Sequence, residues 1–275
     1  MKVIHIIFCT MYDFHLHLAR LSDPESIADE LERRGYHYVD VGCEPWEWEK
    51  VRDLKRAEVN AAEKCAEVNR AAYGIHPMIA EKVTEEDFTT LRKFLESDST
   101  AQVGEAGLDR RFSGYESGGA QEKVFRRQAE LALELGRDIQ IHCVGDYMRI
   151  VKVLREAGFK TGAAQNNAPQ NNAPQNNAPR PIFHRFVGDV SAVRAGIELG
   201  AIFSLHADSF LKKSTAAAIP GIPRDCVRFE TDADENFGER FAGMDRTPSA
   251  KEIAEALIKD LGDVQRLYKL AIKGA

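Results

Sequence analysis

Short apolar runs alternate with amphipathic stretches along almost the whole chain, the arrangement that builds a parallel α/β fold. Eight runs read as strands. The first ends near His15; the others are Tyr38–Gly42, Ala71–Gly74, Ala101–Glu105, Asp138–His142, Pro181–His184, Ala201–Leu205 and Val227–Asp232. Eight is the number a closed (β/α)8 TIM barrel needs. The 275 residues suit one such barrel as a single domain over 1–275, since the fold typically takes about 250.

The stretches between the strands carry helix boundary signals. Asp23-Pro24 supplies an N-cap and a first-turn proline, with Gly35 closing that helix. Thr84 precedes Glu85-Glu86-Asp87, acidic groups where the helix dipole favours them. Gly136, Gly158 and Gly200 each stand between an amphipathic stretch and a strand, as C-terminal caps should. A last helix is expected over roughly Ser249–Leu270.

One segment breaks the rhythm. Gln165–Pro179 is three copies of Gln-Asn-Asn-Ala-Pro, whose prolines forbid a regular helix and whose amides cannot bury a core. Strand rhythm resumes directly after it, so it is expected to be a loop inserted at 165–179, on the face opposite the strand C-termini. At the other end, Val3–Phe8 reads as strand and is too short for a signal-peptide core or a membrane span. Met11, just before Asp13-Phe14-His15, offers a second start.

Composition narrows the function classes. A net charge of −6 argues against a surface coated in basic residues for bulk nucleic-acid binding, yet leaves room for a local basic patch. The five cysteines (Cys9, Cys43, Cys65, Cys143, Cys226) never form CxxC, which points away from disulfides and toward a reducing cytoplasm.

The chemistry gathers at strand ends. His15-Leu16-His17 closes the first strand, His76-Pro77 the third, Gly104-Glu105-Ala106-Gly107-Leu108-Asp109 the fourth and His142-Cys143 the fifth. His184, His206 and Glu230-Thr231-Asp232 end the last three. Six of the eight histidines lie there, and only His5 and His37 do not. A lone histidine after a buried strand is usually a hydrogen-bonded wall residue, and a lone Thr-Asp pair a turn. Six such accidents at equivalent positions of successive strands are improbable, because in a barrel those ends open on the face that carries active sites. Residues two apart on a strand share a face, so His15 and His17 can reach one ion. Imidazole with carboxylate suits zinc, manganese, iron or cobalt. Four histidines and two carboxylates exceed the needs of one four-coordinate ion. Two ions sharing Glu105, about 3.5–4 Å apart, account for the surplus.

Taken in order, Asp13-Phe14-His15-Leu16-His17, Gly74-Ile75-His76-Pro77, Gly104–Asp109, His142-Cys143 and Glu230-Thr231-Asp232 resemble the motifs of TatD-family deoxyribonucleases, within the amidohydrolase superfamily. Gln121, Phe125 and Gln128 resemble the helix before that family's fifth strand. The resemblance runs from about Asp13 to Asp232. It implies a metal-dependent hydrolase using two divalent ions (zinc, magnesium or manganese). His15, His17, Glu105 and Asp232 would hold one, and Glu105, His142 and His184 the other. Asp232 and Glu105 would be catalytic, with Asp232 orienting or deprotonating water, and His76 would contact the substrate phosphate.

The implied substrate is DNA, cut at or near single-stranded ends, with no membrane and no obligate protein partner in evidence. Arg110, Arg111 and Arg185, just past the motifs, are expected to contact phosphates, and His206 to be either a substrate contact or a wall residue. The chain departs from the family at His184-Arg185-Phe186, where His-Cys-Phe is usual, and at Asp232-Ala233-Asp234. Its Arg-Asn-x-Pro element is not evident, although Arg246-Thr247-Pro248 lies nearby. These changes touch the rim, so a small-molecule amidohydrolase or phosphoesterase using the same metals is the alternative.

Overall fold

Parallel neighbours need a crossover between them, and a sheet whose strands follow sequence order can curl until its two edges meet. The computed structural model describes residues 11–55, 70–160 and 178–273. Within them eight strands form one sheet in the order of the sequence. They are β1 (Met11–Leu16), β2 (Tyr36–Gly42), β3 (Arg70–Tyr73), β4 (Gln102–Asp109), β5 (Ile139–Val144), β6 (Pro181–Phe183), β7 (Ile202–Leu205) and β8 (Val227–Phe229). All seven successive pairs are parallel. The edges meet through backbone bonds: Asp232 N–H donates to the His15 carbonyl (2.9 Å) and His17 N–H to the Ala233 carbonyl (2.8 Å). This is the (β/α)8 barrel.

The helices begin and end where local chemistry directs. α1 (Pro24–Arg33) is capped by Asp23, which accepts from Ser26 N–H. α2 (Trp48–Leu54) follows β2. α3 (Glu85–Ser97) opens with a reciprocal Thr84–Asp87 capping box. α4 (Ala120–Leu135) and α5 (Tyr147–Ala157) end on left-handed Gly136 and Gly158. α6 (Val190–Glu198) precedes β7, two short helices follow it, α7 (Asp208–Leu211) and α8 (Lys213–Ala218), and α9 (Ala250–Lys273) packs on α1. The basic trio Lys123, Arg126 and Arg127 lies on α4, where Arg126 pairs with Glu156 and Arg127 with Glu85 at the exposed surface. The expected strand over Val3–Phe8 and the repeat from Gln165 through Asn177 lie outside the described residues.

Most strand bounds differ from expectation by one or two residues; the larger shifts are at the ends of β4 and β8, and β4 matters for the site. It runs on to Asp109, so the Gly104–Asp109 motif sits inside the strand rather than past its end. Glycine makes that possible. A Cβ on Gly107, whose φ is +156°, would lie 1.9 Å from the His142 carbonyl oxygen. One on Gly74 would lie 2.4 Å from Gly104 Cα. Without side chains there, β4 draws in against β3 and β5, and Glu105 comes to face His142. β8, by contrast, stops at Phe229; Glu230 N–H still donates to the Leu205 carbonyl of β7, and Thr231 and Asp232 turn to bond with Asp13 and His15 of β1.

Candidate metal centre

The strand ends carry the expected six residues to one place. His15, His17, Glu105 and His184 are buried, and His142 and Asp232 are half-buried. The His15 and His17 Nε2 atoms lie 3.3 Å apart. Glu105 Oε2 is 3.6 Å from the first and 3.8 Å from the second. Asp232 Oδ1 is 3.7 Å and 3.5 Å away from them. Four donors around one tetrahedral ion at about 2.1 Å stand about 3.4 Å from one another, so these five edges fit an ion with little movement. The other oxygen of the same carboxylate, Glu105 Oε1, meets His184 Nε2 at 2.8 Å and His142 Nδ1. Glu105 thus faces two donor sets at once.

Each of the four histidines is held by its far nitrogen. His17 Nδ1–H donates to the Val41 carbonyl (2.9 Å), and His15 Nδ1–H to Gln140 Oε1 (3.3 Å). Gln140 is itself fixed by donating to Phe14 O and Gln102 Oε1. His184 Nδ1 faces Glu230 Oε1 at 3.2 Å, and His142 Nε2 faces Asp109 Oδ2 at 2.9 Å. Such anchors set the ring orientation and tautomer, leaving the near nitrogen free to ligate. Asp13 is a strut beneath them. Fully buried, it accepts from Thr231 N–H (3.0 Å), Thr231 Oγ1–H (2.5 Å), Tyr36 O–H (2.8 Å) and His15 N–H (3.2 Å).

The sequence motifs contained Asp13, Asp109 and Glu230 but suggested no role for them, and Gln140 drew no attention. The available signal was a polar residue inside an apolar strand, which burial tolerates only with partners.

The electrostatics fit a cation centre. Burial opposes charge on His17, yet the Asp232 and Glu105 carboxylates outweigh it and raise its pKa to about 9. Burial also opposes charge on His184 and His142, and Glu105 again drives both upward. Glu105 is held far below the carboxylate range by His184 and His142, despite its burial. The carboxylates therefore draw positive charge into the centre, and a bound ion would take the place of protons.

His76 differs. Its Nδ1 accepts from Met78 N–H (3.1 Å), and burial pushes its pKa down to about 3. A neutral imidazole whose Nδ1 is an acceptor must carry its proton on Nε2. That nitrogen stands 4.0 Å from Glu105 Oε1. His76 thus offers the centre a hydrogen-bond donor instead of a metal-ligating lone pair.

A cavity of about 340 Å³ opens over the centre, lined among others by His76, Arg20, Arg111 and Arg185. Arg111 is held by Asp109 (2.6 Å), and Arg185 bridges Asp232 (2.8 Å) and Asp208. Arg110 is exposed and does not line it. Neither does His206, whose Nδ1 accepts from Asp208 N–H (3.2 Å) and so fixes the turn that presents Asp208 to Arg185. We expect His206→Ala to leave bound metal unchanged by elemental analysis and to lower turnover modestly. Loss of metal with this substitution would place His206 among the ligands.

A profile of the family described as TatD related DNase matches residues 12–269. The chain belongs to that family. Among its relatives, the uncharacterized metal-dependent hydrolase YabD of Bacillus subtilis is 27% identical over 190 residues, covering 68% of either chain. The 3'-5' ssDNA/RNA exonuclease TatD of Erwinia tasmaniensis is 31% identical over 166 residues, covering 58% of this chain and 56% of that protein. Among solved structures, the TatD homolog YJJV of Escherichia coli superposes with a TM-score of 0.66 at 19% identity, covering 97% of this chain and 96% of that one. A TatD-family hydrolase of Entamoeba histolytica does so at 0.62 and 14% identity, covering 95% and 94%. At these identities the structural likeness carries the barrel alone. Both sequence matches include the word hydrolase or nuclease in their names, in keeping with the donor sets described above.

Proposed function

We propose that this TatD-family protein hydrolyses phosphodiester bonds in DNA, at or near single-stranded ends, with two divalent ions drawn from zinc, magnesium or manganese. The observation that carries this is the Glu105 carboxylate, whose two oxygens face separate donor sets beneath a cavity rimmed by arginines. His15, His17, Glu105 and Asp232 would hold one ion, and Glu105, His142 and His184 the other. Divalent ions held there acidify water and neutralise charge on phosphate oxygens.

The chain's own groups supply the rest. Asp232 Oδ1 faces the centre while Oδ2 is tied to Arg185, which leaves Oδ1 to orient the attacking water and take its proton. Glu105, between both sets, neutralises and aligns them. His76 Nε2–H donates to a phosphate oxygen, and Arg111 and Arg185 add cationic donors beside it. Arg110 lies farther out, where it draws in the anionic chain, and His206 shapes the Asp208 turn behind Arg185.

Arginines favour a phosphodiester over a neutral amide. A reducing cytoplasm suits the free thiols of Cys43, Cys143 and Cys226. No helix among the described residues is long and apolar enough to cross a membrane.

Purified protein offered labelled single-stranded DNA, duplex DNA and a panel of carboxylic esters, amides and phosphomonoesters tests the reading. Metal-dependent release of mononucleotides from single strands is expected. Turnover confined to esters or amides would replace it with a small-molecule hydrolase.

A further inference from the structure

We propose that Trp46 and Phe112 are platforms on which the bases of a single-stranded nucleic acid stack as its backbone crosses the metal centre. The proposal rests on the nuclease reading above and names what else of the substrate the protein holds.

A cavity of about 340 Å³ is near the lower end for small-molecule sites. It can take a phosphate with part of its nucleotide, so the neighbouring nucleotides of a polymer must lie on the rim. Two large aromatic side chains outside the lining stand in solvent beside residues that line it, Trp46 at 63% exposure next to Arg20 and Phe112 at 37% next to Arg111 and His76. Trp46 sits in the turn Pro45–Glu47, three residues past Cys43. Phe112 follows β4, and its ring meets the His76 ring edge-on at 5.9 Å between centroids. The two rings therefore belong to the loops on either side of the one that carries His76.

Each ring has an arginine over it. The Arg20 guanidinium carbon lies 5.9 Å from the Trp46 centroid, and that of Arg111 lies 5.8 Å from the Phe112 centroid. Both arginines line the cavity. An aromatic face beside a cation that looks into a phosphate-sized cavity is the pairing that binds single strands, with charge tracking the backbone and rings stacking the bases. The core makes no demand on Trp46. Trp48, two residues on, is fully buried and donates its indole N–H to the Gly42 and Gly74 carbonyls at 3.2 Å each.

The chain's two tryptophans make the test direct, since only Trp46 can meet a ligand in solvent. Intrinsic fluorescence of the metal-loaded protein is followed while a hydrolysis-resistant phosphorothioate oligothymidylate is added. A second titration uses an abasic chain of equal length and charge. Oligothymidylate should quench emission and the abasic chain should not. Trp46→Ala and Phe112→Ala should each weaken oligothymidylate binding and raise KM roughly 5–100-fold. Hydrolysis of bis-nitrophenyl phosphate, which has no neighbouring nucleotides, should be unchanged in Trp46→Ala, and Trp46→Phe should restore most of the affinity. Equal quenching by the abasic chain, or cleavage of oligothymidylate with unaltered KM in both alanine variants, would overturn the stacking role and leave the nuclease reading intact. A wild-type protein that neither binds nor cleaves oligothymidylate would overturn both.

Discussion

Glu105→Gln is expected to strip both ions from the protein and, with them, essentially all turnover. The carboxylate reaches both donor sets, one oxygen to each. Oε2 lies 3.6 and 3.8 Å from the His15 and His17 nitrogens, and Oε1 lies 2.8 Å from that of His184. An amide keeps the shape but has a single oxygen, so its NH2 must face one set, where it cannot ligate. It also removes the negative charge that holds positive charge on His184 and His142 despite their burial. The loss should exceed the roughly 10–100-fold in metal affinity typical of changing a residue that merely supports a ligand. Metal per chain by elemental analysis, beside far-ultraviolet circular dichroism to confirm the fold, checks it. A folded variant that keeps its full metal content would mean that Glu105 bridges nothing.

Asp232→Asn separates ligation from proton transfer. Asn keeps a weak oxygen ligand where Oδ1 now faces His15 and His17, but has neither charge nor basicity. Turnover should fall on the order of 10²–10⁴-fold from loss of the base alone. The ion between His142 and His184 should be retained better than the ion between His15 and His17, because Asp232 stands 3.7 and 3.5 Å from both nitrogens of the latter pair and approaches only His184 of the former. The Arg185 bridge loses one of its two carboxylates and keeps Asp208, so the rim should stay ordered. Rates must be compared at equal metal content, since a missing ion and a missing base look alike in kinetics. Near-normal turnover of a metal-loaded Asp232→Asn protein would remove Asp232 from the mechanism.

The barrel was legible because its signals repeat. Eight apolar runs separated by amphipathic stretches announce the sheet order, and Thr84, Gly136 and Gly158 act in the structure as the caps their sequence context suggests. The histidines stood out for the same reason, each falling at the end of a successive strand. What supports them did not repeat. Asp13, Gln140 and Glu230 are single polar residues whose partners lie on other strands, such as Thr231 for Asp13 across 218 positions. No local pattern announces a pairing at that separation.

Strand ends were legible only loosely. β4 passes through a motif that read as a terminus because Gly74 and Gly107 leave room for close packing that only the neighbouring strands reveal. The rim was the least legible part. Arg110 and Arg111 are adjacent in sequence, yet Asp109 holds only Arg111 over the cavity. Trp46 and Trp48 are equally close, and one is exposed while the other is buried.

The most direct test of the account is to add metal back to stripped protein while following release of mononucleotides from an end-labelled single-stranded oligonucleotide. The two donor sets joined by Glu105 predict that full activity appears only when both are filled, near two equivalents per chain. Full activity at one equivalent, or hydrolysis by the metal-free protein, would contradict it.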